Sequence, residues 1–187
     1  MTTQADFLKN IISALDQAHI PYMLSGSISS SFHGHPRATN DADLILDPTE
    51  KQLLTFINSL GPDYYLIKDT ALQALKDRSM FNIIGIQSGW KADLIIRKKR
   101  PFSKIEFDRR INAKIMGIDL WTLTPEDAIL SKLEWSQAAQ SQRQFQDALG
   151  IAIVQAQNLD LDYLRQWARQ LNLSDSLEKL LQQAQQK

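Results

Sequence analysis

The run Asp41-Ala-Asp-Leu-Ile-Leu46 interleaves two carboxylates with apolar side chains, a period of two that predicts an extended strand. On that strand Ala42, Leu44 and Leu46 pack on one face, and Asp41 and Asp43 project together from the other. Two neighbouring carboxylates repel each other unless a cation lies between them. Mg²⁺, a hard ion that takes a few carboxylates plus substrate phosphates, suits the pair. Any fold adopted by this chain must therefore bury one side of the strand and keep the other polar.

Two further features sharpen the reading. Separated from Asp41 by thirteen residues stands Gly26-Ser27, which ends a predicted strand at 22–24 and opens a short predicted helix at 28–32. Glycine there lets the backbone approach a phosphate closely, and Ser27 offers a hydroxyl and an amide at a helix N-terminus. Downstream, Asp93 interrupts the apolar run Trp90-Lys-Ala-Asp-Leu-Ile-Ile96. A charge in such a run must meet solvent or a polar partner, because isolated burial is very costly. If its strand neighbours the Asp41 strand, three carboxylates converge, and Asp93 either ligates metal or accepts the proton of an attacking hydroxyl. The set implies metal-dependent phosphoryl or nucleotidyl transfer.

Composition narrows the alternatives. At 187 residues, 43% hydrophobic and 22% charged, the chain is long enough for a real core and is neither disordered nor collagen-like. It has no cysteine, which removes disulfide scaffolds, thiolate zinc sites and cysteine nucleophiles. The N-terminus lacks a basic region followed by an apolar one, and no apolar run reaches bilayer length, so a soluble cytoplasmic protein is expected. Net charge is zero, yet residues 91–114 hold nine basic against three acidic side chains. Such asymmetry marks either a phosphate-rich partner or a solvated surface.

Apolar spacing predicts the remaining elements. Phe7, Leu8, Ile11, Ile12, Leu15 and Ala18 define an N-terminal helix. Asp47-Pro48-Thr49-Glu50 reads as cap, proline and acid opening a helix that stops before Gly61-Pro62. A short strand at 64–67 and a short helix at 70–76 follow. Two hairpins are expected, one joining strands 81–86 and 90–96 and one turning at Met116-Gly117. From Thr124-Pro125-Glu126-Asp127 onward the pattern is helical, with four apolar stripes and a glutamine-rich end, 182–187, expected to fray. An α/β core over 1–123 and a helical part over 124–187 are the expected organisation.

Gly26-Ser27, the spacing to Asp41-x-Asp43, and the later strand Asp93 together resemble the polymerase-β-type nucleotidyltransferase superfamily. The fuller stretches Phe32-His33-Gly34, Arg37-Ala-Thr-Asn-Asp-Ala-Asp-Leu44, Pro125-Glu-Asp127, Ser131-Lys-Leu-Glu-Trp135, Arg143 and Asp147 are similar to its AbiEii-like branch, which includes toxins of toxin–antitoxin systems. The resemblance implies an α/β (α+β) fold, with a small mixed sheet flanked by helices and followed by a helical C-terminal part. It implies Mg²⁺-dependent transfer of a nucleoside monophosphate from an NTP to a hydroxyl, with RNA or tRNA as acceptor and a cognate antitoxin protein as partner. Asp41, Asp43 and Asp93 are then the metal ligands and, with Lys132, the catalytic set. Gly26, Ser27, Arg37, Lys132, Arg143 and Asp147 bind the nucleotide, Lys132 meeting its phosphates or base and Asp147 orienting Lys132 or Arg143.

The residues themselves leave alternatives open. Arg143 and Asp147, four apart, also suit an exposed ion pair on one helix face. His33 and His35 have no third ligand in range and read as loop residues, whereas Arg37 suits a phosphate clamp through its bidentate fork. Trp90, Trp121, Trp135 and Trp167 read as packing. A small molecule such as an aminoglycoside, or a protein hydroxyl, fits the core as acceptor as well as RNA does. A non-catalytic nucleotide-binding or antitoxin-type subunit is the alternative from another class.

Overall fold

A computed structural model describes residues 2–186, so Met1 and Lys187, the outer ends of the two expected segments, lie outside the described residues. The chain opens with helix α1 (Gln4–Gln17), whose N-cap Thr3 and Asp6 satisfy each other's backbone amides in a capping box. Strand β1 (Tyr22–Ser25), helix α2 (Gly26–His33), strand β2 (Asp41–Leu46) and helix α3 (Glu50–Ser59) follow. Next come β3 (Tyr64–Tyr65), α4 (Lys68–Asp77), β4 (Met80–Gly85), β5 (Lys91–Ile96), α5 (Pro101–Asp108), β6 (Ile111–Ile115) and β7 (Ile118–Thr122). Four helices complete the chain: α6 (Pro125–Ala139), α7 (Gln142–Gln155), α8 (Leu161–Gln170) and α9 (Ser174–Gln185). The architecture is the mixed α/β fold expected, and its contacts group into two compact units.

The first unit comprises the residues up to Ser25 and Thr39–Thr122, and it contains the whole sheet, in the order β3-β4-β5-β2-β1-β7-β6. β2 pairs with β5 and β1 with β7 in parallel; the other pairings are antiparallel. Register follows burial. Ala42, Leu44 and Leu46 lie opposite Ala92, Leu94 and Ile96, and Ile83 and Phe81 continue two of these rows on β4. All eight are buried, with Leu8, Ile11 and Leu15 of α1 and Leu53 and Phe56 of α3 also in the core. Each fully buried leucine, isoleucine or phenylalanine contributes roughly 1.5–3 kcal/mol over an exposed one.

Three local features differ from the pattern that apolar spacing predicts. Helix α3 is capped by Thr49, not Asp47: the Thr49 hydroxyl accepts the Gln52 amide while the Gln52 side chain accepts the Thr49 amide. Asp47 instead accepts from Arg97 at 2.7 Å and Arg78 at 3.4 Å. Helix α5 lies outside the predicted elements, because its basic surroundings mask a Pro101 start and the buried pair Phe102 and Phe107. The glutamine-rich end does not fray at 182, since α9 continues to Gln185 with Leu177 and Leu180 buried.

The second unit comprises Gly26–Ala38 and the chain from Leu123 onward. Here α2 packs on α6 and α7, α7 on α9, and α8 on α6 and α9. Gly34 lies against α7 so closely that a Cβ would sit 2.6 Å from the Ile151 amide nitrogen. His33 is the last residue of α2 rather than a loop residue; it is buried, and its Nε2–H donates to the Leu123 carbonyl at 2.7 Å. Burial lowers its pKa, outweighing the Leu123 bond and the Glu126 charge, which favour the protonated ring. Asp127, fully buried, accepts from Thr124 Oγ1 at 2.8 Å and from the Tyr163 hydroxyl at 2.5 Å.

Candidate active site

The polar face of the first unit is set by strand register. Asp43 lies opposite Asp93 across the parallel β2–β5 pair, and Asp41 lies opposite Lys91. Because side chains alternate, Asp41, Asp43, Lys91 and Asp93 all project from the side of the sheet that Ala42 and Ala92 do not occupy. The row extends to Ser25 of β1, opposite Asp43, and to Asn82 of β4, opposite Asp93. The next residue after Ser25 is Gly26, held at φ +62°, a left-handed conformation natural to glycine.

Neighbouring strands lie about 4.8 Å apart, so two carboxylates in direct opposition repel one another strongly. Lys91 answers part of that charge. Its Nζ is 3.1 Å from Asp93 Oδ2 and 3.8 Å from Asp41 Oδ2. Burial works against the ammonium, but the hydrogen bond and charge of Asp93, with Asp41 and Asp43 beyond it, hold the Lys91 pKa above its ordinary value. Asp93 Oδ1 is buried without a hydrogen-bond partner. Lys91 is thus a member of this face that the carboxylate pattern does not single out, although it shares a strand face with Asp93.

The donors present fit a hard divalent cation: three carboxylates on one face, one of them with a buried, unsatisfied oxygen. Among the described residues, however, no three His, Cys, Asp or Glu side chains close into a metal-binding cluster. The lysine ammonium already draws together two of the three expected ligands, Asp41 and Asp93.

A second group of charges belongs to the other unit. Arg37 presents its fork to Asp147, with Nε 3.0 Å from Oδ1 and Nη2 3.1 Å from Oδ2, and its Nη2 also donates to Ser27 Oγ. Lys132 Nζ donates to Asp147 Oδ2 at 2.8 Å. Asp147 on α7 therefore joins the α6 lysine to the segment after α2, and its side chain is only 9% exposed. Burial opposes its ionisation, but the Arg37 and Lys132 hydrogen bonds and charges outweigh that and hold its pKa below the usual carboxylate value. Of the expected nucleotide-binding residues, Ser27, Arg37, Lys132 and Asp147 are brought together. Gly26 precedes Ser27 at the start of α2, while Arg143 is exposed and is not the ion-pair partner of Asp147.

The basic stretch is more engaged than its sequence suggested. Arg97 is bound to Asp47, Arg100 donates to Ser103 Oγ at 2.9 Å, and Arg110 stacks 4.5 Å from the Phe107 centroid and 5.2 Å from that of Trp121. Lys98, Lys99 and Lys104 are exposed.

This fold is that of nucleotidyltransferase-like proteins. An antigenic nucleotidyltransferase-like protein from Paracoccidioides brasiliensis superposes with a TM-score of 0.58 at 15% identity, over 96% of this chain and 92% of that one. The antibiotic-resistance factor ANT(2'')-Ia gives 0.54 at 13% identity, over 95% and 96%. JHP933 from Helicobacter pylori gives 0.50 at 17% identity, over 99% and 92%. No protein-family model and no curated protein sequence matches the chain.

Proposed function

We propose that this protein is a nucleotidyltransferase that moves a nucleoside monophosphate from an NTP to a hydroxyl and releases pyrophosphate. The observation that carries the reading is the opposition of Asp43 and Asp93 in register, with Asp41 on the same face, in a nucleotidyltransferase-like fold. Asp41, Asp43 and Asp93 would hold Mg²⁺, which when bound offsets the negative charge developing on the leaving pyrophosphate. Asp93 either completes that ligand set or accepts the acceptor hydroxyl's proton. The amides and hydroxyl at Gly26 and Ser27 receive phosphate at the start of α2. Arg37, Lys132 and Arg143 supply cationic donors to the nucleotide, and Asp147 orients the first two.

The acceptor assigned is an RNA end, tRNA included, in keeping with the exposed Lys98 and Lys99 and with the AbiEii-like sequence pattern. That pattern also supports a toxin with a cognate antitoxin partner, working in the cytoplasm where NTPs are held. An aminoglycoside-like small molecule or a protein hydroxyl is the competing acceptor. Purified protein incubated with each labelled NTP, Mg²⁺ and total cellular RNA is expected to label RNA. In the same assay Asp43→Ala should abolish transfer while keeping the wild-type circular dichroism spectrum. Undiminished transfer by that variant would end the proposal.

One observation favours a second reading. Asp147 already pairs with both Arg37 and Lys132, as a purely structural ion cluster would. A non-catalytic nucleotide-binding subunit would show NTP binding by calorimetry with no pyrophosphate released.

A further inference from the structure

We propose that Lys91 is a built-in counter-ion for the acidic face of β2 and β5, holding the place that a divalent cation takes over when the protein is loaded. The identity of that cation rests on the nucleotidyltransferase reading; the role of the lysine rests on the strands themselves. Lys91 is opposite Asp41 in register and two residues before Asp93, so it shares their face. Its ammonium spans the two, at 3.8 Å and 3.1 Å, and leaves Asp93 Oδ1 unsatisfied. Three carboxylates and one ammonium leave the face with a net negative charge that the lysine reduces without cancelling.

The lysine is suited to leaving. An ammonium is a compact charge on a flexible stem, and the Lys91 side chain is 32% exposed, so it swings to solvent without disturbing the core behind Ala92. It donates hydrogen bonds but offers no lone pair, so it cannot join a divalent ion's coordination shell. Nor can it stay beside one, because like charges about 4 Å apart repel strongly near a protein surface. Cation entry and Lys91 withdrawal are therefore coupled. A bare divalent ion must displace the lysine, and its affinity is lowered by that competition.

The test uses the full chain and Mn²⁺ as probe, without nucleotide, with free Mn²⁺ read by electron paramagnetic resonance. Lys91→Met and Lys91→Gln should bind Mn²⁺ about tenfold more tightly than wild type, and Lys91→Arg should not. In metal-free buffer the two neutral variants should melt below wild type and gain more from added Mn²⁺. A third readout needs no variant: acylation of Lys91 in the wild-type protein, followed by mass spectrometry, should rise when Mn²⁺ is present. Equal Mn²⁺ affinity in wild type and Lys91→Met, lost on Asp43→Asn, would overturn the lysine's role and leave the cation site standing. Acylation unchanged by bound Mn²⁺ would overturn it too. No Mn²⁺ uptake by wild type or either neutral variant would overturn both the cation site and this inference.

Discussion

Asp147 answers two cations, Arg37 and Lys132, from a side chain almost closed to water. Removing one partner of a buried ion cluster leaves the others uncompensated, at a cost of about 3–5 kcal/mol. Asp147→Asn should therefore lower stability by about 3 kcal/mol in denaturant unfolding, whereas Arg143→Ala at the exposed neighbouring position should stay within about 0.5 kcal/mol. The pH dependence has a definite sign. Because the folded protein holds the Asp147 pKa below its unfolded value of about 3.9, the stabilisation is complete above that value and disappears as pH falls through the lower folded one. Acid titration should show wild type converging on Asp147→Asn. Asp147 was legible as a site residue, but its partners were not: helical spacing offers Arg143, while the true partners lie 110 and 15 residues away and only tertiary packing joins them. Asp41 and Asp43, by contrast, were legible with their orientation, since one alternating strand fixes both.

Elements were predictable where a local signal had no competitor. β2 was expected and found at Asp41–Leu46 because alternation and burial agree residue by residue. The start of α3 is ambiguous in sequence because Asp47 and Thr49 both suit a cap, and Asp47 is drawn off by two arginines. Thr49→Ala should cost about 1 kcal/mol of stability by removing the true cap, and Asp47→Ala should leave the helix start intact by hydrogen exchange. Gly34 makes a stronger case at the level of helix packing. A methyl group there would press on the Ile151 amide of α7, backbone that cannot step aside. Gly34→Ala should destabilise by about 1–3 kcal/mol, measured by thermal unfolding.

At the scale of the molecule, the chain does not divide at one point. Gly26–Ala38 makes its contacts with the helical unit, although it is flanked on both sides by strands of the sheet. A fragment ending at Thr122 would strip Ile28, Ser30 and His33 of the α6 and α7 surfaces that bury them. That fragment should bind a hydrophobic dye and melt without cooperativity, and replacing 26–38 by a glycine-serine linker should relieve both defects. Sequence patterning located a sheet-rich part and a helix-rich part, but apolar spacing carries no address, so it could not assign α2 to the later helices.

β2 and β5 are joined by no tight turn, so nothing in the connecting chain fixes how they align; the packing of Ala42 against Ala92 and of Leu44 against Leu94 does. A slip of one position would turn the acids of the slipped strand inward, Asp41 and Asp43 on β2 or Asp93 on β5, and is ruled out by the cost of burying them. The two alanines, set directly behind the acids, consequently calibrate the reverse surface from within the oil. Enlarging either methyl would detune the spacing of groups it never meets.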